Sequence, residues 1–156
     1  MVQYSSFIFS NDMAILNSDE QERVVHAVSV AENMTSGEIR VVVENVVGNN
    51  LTAIQKAEKY FFELNMHKTL RRNGVLVYLA VADHQFAIIG DAGINAKVPS
   101  DFWENTKNKM LAHFKVGDFA SGLVEGIHDA GEQLHHFFPR QEDDVNELPN
   151  DIHFGH

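Results

Sequence analysis

The segment Val75-Leu76-Val77-Tyr78-Leu79-Ala80-Val81-Ala82 constrains this chain more than any other. It carries no charge and no strict alternation. Gly74 precedes it and Asp83-His84 follows, and so short a bounded run rich in Val, Leu and Tyr reads as a strand rather than a helix. A strand apolar on both sides must be covered on both faces, so apolar helices have to flank the sheet that contains it.

The remaining pattern supplies those layers. Ser18 and Gln21 are spaced as a capping box, and Val24, Ala27, Val28 and Ala31 follow at helical spacing, which predicts a helix over 19–33. Thr35-Ser36-Gly37 breaks it. Glu38–Val47 is β-branched, with Ile39, Val41 and Val43 on one side, and reads as a strand. Gly48-Asn49-Asn50 is a turn with N-cap chemistry. The helix expected over 51–66 then presents Ile54, Ala57, Phe61 and Leu64 to the core. Residues 67–73 form a basic loop. Gln85–Ile89 makes a hairpin with the central strand, and 90–95 reads as a loop. A helix opening at Pro99 or Ser100 carries Trp103, Met110, Leu111 and Phe114 inward, and Gly117 ends it. The last helix spans 119–138, lined by Phe119, Leu123, Ile127, Ala130, Leu134 and Phe137, with Gly122 and Gly126 allowing close approach to a neighbour. The fold class is therefore α/β: a three-layer αβα sandwich, a small mixed β-sheet flanked by helices on both faces. We divide the chain into a leader (1–17), the domain (18–138) and an acidic tail (139–156) whose Val145, Leu148, Ile152 and Phe154 give it something to dock with.

Composition excludes several functions. Twelve Lys and Arg stand against 22 Asp and Glu, a net charge of −10, which lacks the basic footprint of a nucleic-acid binder. No cysteine is present, so disulfides, thiolate catalysis and Cys-based metal sites are ruled out. The nine histidines lack zinc-site spacing: His135 and His136 diverge on a helix, and His128 lies two turns from His135. Met1–Leu16 has neither a basic start nor a long apolar stretch, and no run approaches the ~18 apolar residues of a membrane span. A cytoplasmic location without membrane insertion is the expectation. P-loop, dinucleotide, nucleophile-elbow and H-E-x-x-H motifs are all missing.

Topology gathers the carboxylates. The first two strands, joined through a helix, run parallel, and the hairpin reverses the third. The start of strand one, the start of strand two and the end of strand three thus share one end of the sheet, with Glu38, Asn73, Asp91, Asn95 and Asp101. Glu44, Asp83 and Asp118 belong to the other end. Carboxylates, amides and Gly-rich backbone suit hard cations such as Ca²⁺ or Mg²⁺, and Glu38, Asp91, Asn95 and Asp101 are the candidate ligands. Each has a plainer role open to it: Asp91 in a turn, Asp101 in the first turn of a helix, Glu38 in an ion pair with Arg71 or Arg72.

Thr35-Ser36-Gly37-Glu38-Ile39, Asn73-Gly74-Val75-Leu76, Gly90-Asp91-Ala92-Gly93 and Phe114-Lys115-Val116-Gly117-Asp118-Phe119 occur in order, and over about residues 18–138 the chain resembles the TPM domain family. The resemblance implies an αβα sandwich, and a stand-alone, soluble, bacterial form of a domain that is often exported or membrane-tethered. Members are associated with photosystem repair, receptor modulation, weak acid-phosphatase activity and, in some, bound divalent cations. It implies polar positions beside the loop motifs at Glu38, Asn73, Asp91 and Asp101, and a Gly-Asp-aromatic step at Asp118. Many relatives carry a second Gly where this chain has Asp91, which adds a carboxylate. The expected function is divalent-cation binding with a regulatory or protein-interaction role. The alternatives are a metal-assisted phosphatase of low activity and a metal-independent interaction domain with an unidentified protein partner.

Overall fold

All seven residues of Gly74–Ala80, strand β2, are buried, as the apolar run requires. The computed structural model describes residues 16–140 and 152–155. The elements in order are α1 (Ser18–Glu32), β1 (Glu38–Glu44), α2 (Ala53–Glu63), a 3₁₀ turn (Met66–Lys68), β2, β3 (Gln85–Gly90), α3 (Ala92–Asn95), α4 (Glu104–Phe114), α5 (Phe119–Phe137) and β4 (Ile152–Phe154). The sheet order is β3-β2-β1-β4. β1 is parallel to β2, with Glu38 opposite Gly74, and β3 is antiparallel to β2, with Gly90 opposite Val75.

Helices cover both faces. Ile39, Val41, Val43, Val75, Val77 and Leu79 pack with α1, α4 and α5. Val42, Leu76, Tyr78 and Ala80 pack on the other face against α2. Gly122 and Gly126 bring α5 onto α4, where an added Cβ would overlap Phe114 and Met110.

Several local expectations are corrected. The capping box of α1 sits one residue earlier than Ser18–Gln21: Asn17 accepts from the Glu20 N–H at 2.8 Å, and Glu20 accepts from the Asn17 N–H at 2.9 Å. The same three-residue spacing fits both registers, but the earlier one puts a carboxylate rather than an amide at the position that accepts from the cap N–H. α2 starts at Ala53 because Thr52 and Gln55 form its capping box, while Asn49 and Asn50 hold positive φ in the turn. That start rotates Ile54 outward to 54% exposure, and Lys56 is buried instead. Residues 92–95 form a short helix capped by Asp91 rather than a loop. α4 begins at Glu104, and Leu111 lies outside its core face. The tail contributes a fourth strand, parallel to β1, with Ile152 and Phe154 packed on the core. Val145, Leu148 and residues 1–15 lie outside the described residues. Among the described residues, no helix is long and apolar enough to cross a membrane.

Candidate functional site

β1 and β2 begin, and β3 ends, at one end of the sheet, as the topology argument expects; this is called the lower end below. The connections there are cross-tied by backbone. The Asp91 N–H donates to the Gly74 carbonyl at 2.9 Å, the Gly93 N–H to the Arg72 carbonyl at 2.8 Å, and the Glu38 N–H to the Asn73 carbonyl at 3.2 Å. Gly93 is required by this closeness. A Cβ at that position would run into the backbone oxygens of Arg71 and Arg72, which have no freedom to move aside.

Asp91 is the centre of the arrangement. Its side chain is 6% exposed. One carboxylate oxygen accepts from Arg72 Nε at 2.9 Å; the other accepts from Arg72 Nη2 at 3.1 Å and from the Ala92 N–H at 2.7 Å. Arg72, which was a possible partner of Glu38, forks instead onto Asp91. Its side chain is 51% exposed, and its backbone holds a left-handed φ of 53° that a non-glycine residue adopts at a cost. Asp91 pushes the Arg72 guanidinium further above its ordinary value, through the hydrogen bond first and the charge second.

Asp91 and Asn95 line one groove of about 380 Å³, whose other walls include Glu58, Phe61, Phe62, Ile89 and Trp103. Asn95 donates from Nδ2 to the Gly90 carbonyl at 3.1 Å, which leaves its amide oxygen available. Glu38 and Asp101 do not line the groove. Glu38 is buried on β1, and Asp101 is exposed in the turn before α4, where its carbonyl accepts from the Glu104 N–H. The structure thus places two of the four candidate ligands together and the other two apart from them.

Glu32, Glu58 and Arg72 were not among the candidates. Glu58 sits on a helix whose register could be set only by its cap, and Arg72 was considered only as a partner for Glu38. Glu32 ends α1 and turns inward, accepting from the Ile39 N–H at 2.8 Å. Burial raises its carboxyl to about 8; the Ile39 hydrogen bond opposes this, the Glu38 charge adds to it, and Arg140 opposes it again. Nothing in a helical pattern with a carboxylate at its end distinguishes such a residue from a solvated one.

Asn73 is buried and donates from Nδ2 to Ser36 O at 3.1 Å and Ser36 Oγ at 3.4 Å, yet among the described residues its Oδ1 receives no hydrogen bond, and Thr69 Oγ1, also buried, has no partner there either. Buried oxygens without donors are uncommon and suit a water or a cation. Among the described residues, no group of three or more His, Asp or Glu is arranged to hold a metal ion.

The upper end is occupied by structural bonds. Glu44, 1% exposed, accepts from Tyr60 Oη at 2.8 Å and from Tyr78 Oη, and pairs with Lys56 Nζ at 3.0 Å. Asp83 accepts from the Val47 N–H at 2.8 Å, and Asp118 caps α5 through the Ser121 N–H at 3.2 Å.

Comparison with known proteins places this geometry. The family model for the TPM domain matches residues 10–133. No curated protein matches the chain. Among solved structures, the chain is similar to the BA42 protein of the psychrophilic bacterium Bizionia argentinensis, with 44% identity, 90% of this chain and 95% of that one covered, and a TM-score of 0.84. The N-terminal domain of a P. gingivalis protein shares the fold at 18% identity, with 82% and 83% covered and a TM-score of 0.65. The N-terminal domain of cg2496 from Corynebacterium glutamicum does so at 11% identity, with 94% and 95% covered and a TM-score of 0.63.

Proposed function

From the premise that this chain belongs to the TPM domain family, we propose that its lower end binds a divalent cation of the calcium or magnesium type and thereby regulates docking of a protein partner. The observation that carries the reading is the Asp91 carboxylate, buried in a groove beside Asn95 and Glu58 and neutralised by an arginine that is half in solvent. A buried carboxylate demands a counter-charge, and here it comes from a side chain that solvent can reach and a cation can displace. The donors are all oxygen, which fits Ca²⁺ or Mg²⁺ and not Zn²⁺. Asp91 and Asn95 would hold the ion, with Glu58 at the rim; Glu38 and Asp101 are second-rank ligands because they stand outside the groove. The unpartnered Oδ1 of Asn73 supports the same end of the sheet.

Bound cation would neutralise Asp91 and free the Arg72 side chain, changing the charge of the groove wall. Phe62, 61% exposed, lines that wall, and Leu70, 85% exposed, belongs to the loop that ends in Arg72. These apolar groups are the surface a partner would cover. Metal-assisted phosphate-ester hydrolysis draws on the same groove, since a guanidinium beside a cation suits a phosphate dianion.

An amide NMR titration of metal-stripped protein with Ca²⁺, Mg²⁺ and then Zn²⁺ tests the proposal. Saturable shifts centred on 69–74 and 90–95, tighter binding in Arg72→Gln and loss in Asp91→Asn are expected. Absence of shifts at millimolar Ca²⁺ and Mg²⁺ refutes it. Turnover of a phosphate ester that disappears in Asp91→Asn separates the enzyme reading from the regulatory one.

A further inference from the structure

A second groove, of about 630 Å³, runs between α1 and α5, on the face of the sheet opposite α2. The two helices come very close at Gly131, where an added Cβ would lie 2.8 Å from the Ala31 Cβ. The groove lies N-terminal to that contact on both helices. Ala27 and Val124 are half-buried in it, and Val30 is 39% exposed, so its floor is apolar and reachable from solvent.

Its lining lacks the chain's acidic excess, with one arginine, one glutamate and two histidines. Arg23 and His26 line one wall and His128 the other, in a protein of net charge −10. Arg23 donates to the neutral Ser121 Oγ at 3.2 Å and, among the described residues, makes no ion pair. The Asp118 carboxylate feels its field, but is held low chiefly by Ser121. The acid in the groove, Glu125, is engaged by His113 at 2.5 Å, and His128 stands 3.8 Å from Glu132. The Arg23 guanidinium therefore keeps donor capacity for a carboxylate beside the apolar floor. Elsewhere Arg72, Lys56 and Lys109 are paired with acids.

We infer that this groove binds a small amphipathic anion: a carboxylate head on the Arg23 guanidinium and an aliphatic body along Ala27, Val30 and Val124. Guanidinium forks match carboxylates in shape as well as charge. The volume falls in the ordinary range for small-molecule sites, which combine apolar walls with a few polar anchors. The site is independent of the lower end.

The test is an amide NMR titration at pH 7 with octanoate, octanol and acetate, on wild type and Arg23→Gln. Octanoate should give saturable shifts confined to 23–30 and 121–128. Octanol, with the tail but no charge, and acetate, with the charge but no tail, should each bind at least tenfold more weakly, and Arg23→Gln should weaken octanoate by a similar factor. Val124→Asn serves as a second variant, placing a neutral polar group on the floor, which should weaken octanoate at least tenfold while leaving the charge-driven binding of acetate unchanged. Equal binding of octanol and octanoate, octanoate affinity unchanged in Arg23→Gln, or shifts centred elsewhere would each overturn the proposal.

Discussion

Replacing Glu32 with Gln should stabilise the protein, and the gain should grow with pH. Glu32 is 5% exposed, and its carboxyl is raised from 4.5 to about 8, chiefly by burial. The folded state therefore holds a proton that the unfolded chain has already released. Its contribution to stability is complete below pH 4.5 and is lost as pH rises to about 8. The interval is roughly three and a half powers of ten in proton affinity, an upper limit of about 5 kcal/mol. Relaxation around the buried charge and entry of water reduce this to about 2–4 kcal/mol. Gln keeps an oxygen to accept from the Ile39 N–H and cannot ionise. Urea unfolding of wild type and Glu32→Gln, measured in half-unit steps from pH 5 to 8.5, isolates the effect, because every other ionisable group is common to both proteins. The variant's advantage should widen across the series by a few kcal/mol. A constant gap would refute the reasoning and mean that Glu32 is ionised in the fold, with its charge met by neighbours such as Arg140.

Gly93→Ala should destabilise the protein by about 2 kcal/mol or more, because the added methyl meets fixed backbone rather than a flexible side chain. The same variant should lose the Asp91-centred cation shifts, since Gly93 ties that loop to Arg72; thermal unfolding and the NMR titration read the two effects separately. Asp129→Asn should cost about 1–3 kcal/mol at pH 7, because the buried carboxylate accepts across the α4–α5 contact from Thr106 and from Lys109 at 2.8 Å, and within α5 from Gln133 at 2.8 Å. Burial alone would raise its carboxyl, but the bonds from Lys109, Thr106 and Gln133 together hold it below 3.8, so this stability is present above that pH and is lost as pH falls further. The gap between wild type and Asp129→Asn should narrow in denaturation series taken below pH 4.

How far these features could be read from the sequence depends on how many residues each one averages over. The apolar run at β2 is read from a whole segment, and its demand for cover on both faces is met by α1, α4 and α5 on one side and α2 on the other. Parallel β1–β2 pairing and the β2–β3 hairpin follow from chain connection alone, and they bring the correct three connections to the lower end. Features decided by one residue were less accessible. Thr52 with Gln55, rather than the Asn pair before it, starts α2, and that shift exchanges Ile54 for Lys56 on the inner face. Four residues after Asp91 are too few for helical periodicity to register, so α3 read as a loop. β4 has three residues and belongs to the sheet only because the β1 edge is free to pair with it.

The candidate site shows the same division at closer range. Asp91 and Asn95 come together because the cap and the end of one short helix are bound to be neighbours, a local fact that spacing carries. Glu38 and Asp101 share their end of the sheet but not their groove, since which way each side chain faces depends on strand parity and on a turn that topology does not specify. The choice of Arg72 for Asp91 rests on a left-handed backbone at Arg72 and on Gly93 admitting the two loops to contact. Neither is visible as a pattern, because both are properties of two segments meeting. The pairing has a chemical consequence for the proposed cation site: the ion must outcompete a guanidinium already hydrogen-bonded to both carboxylate oxygens, so affinity is set by the difference between the two counter-charges. That difference is why the removal of Arg72, and not the addition of another acid, is the change that should tighten cation binding most.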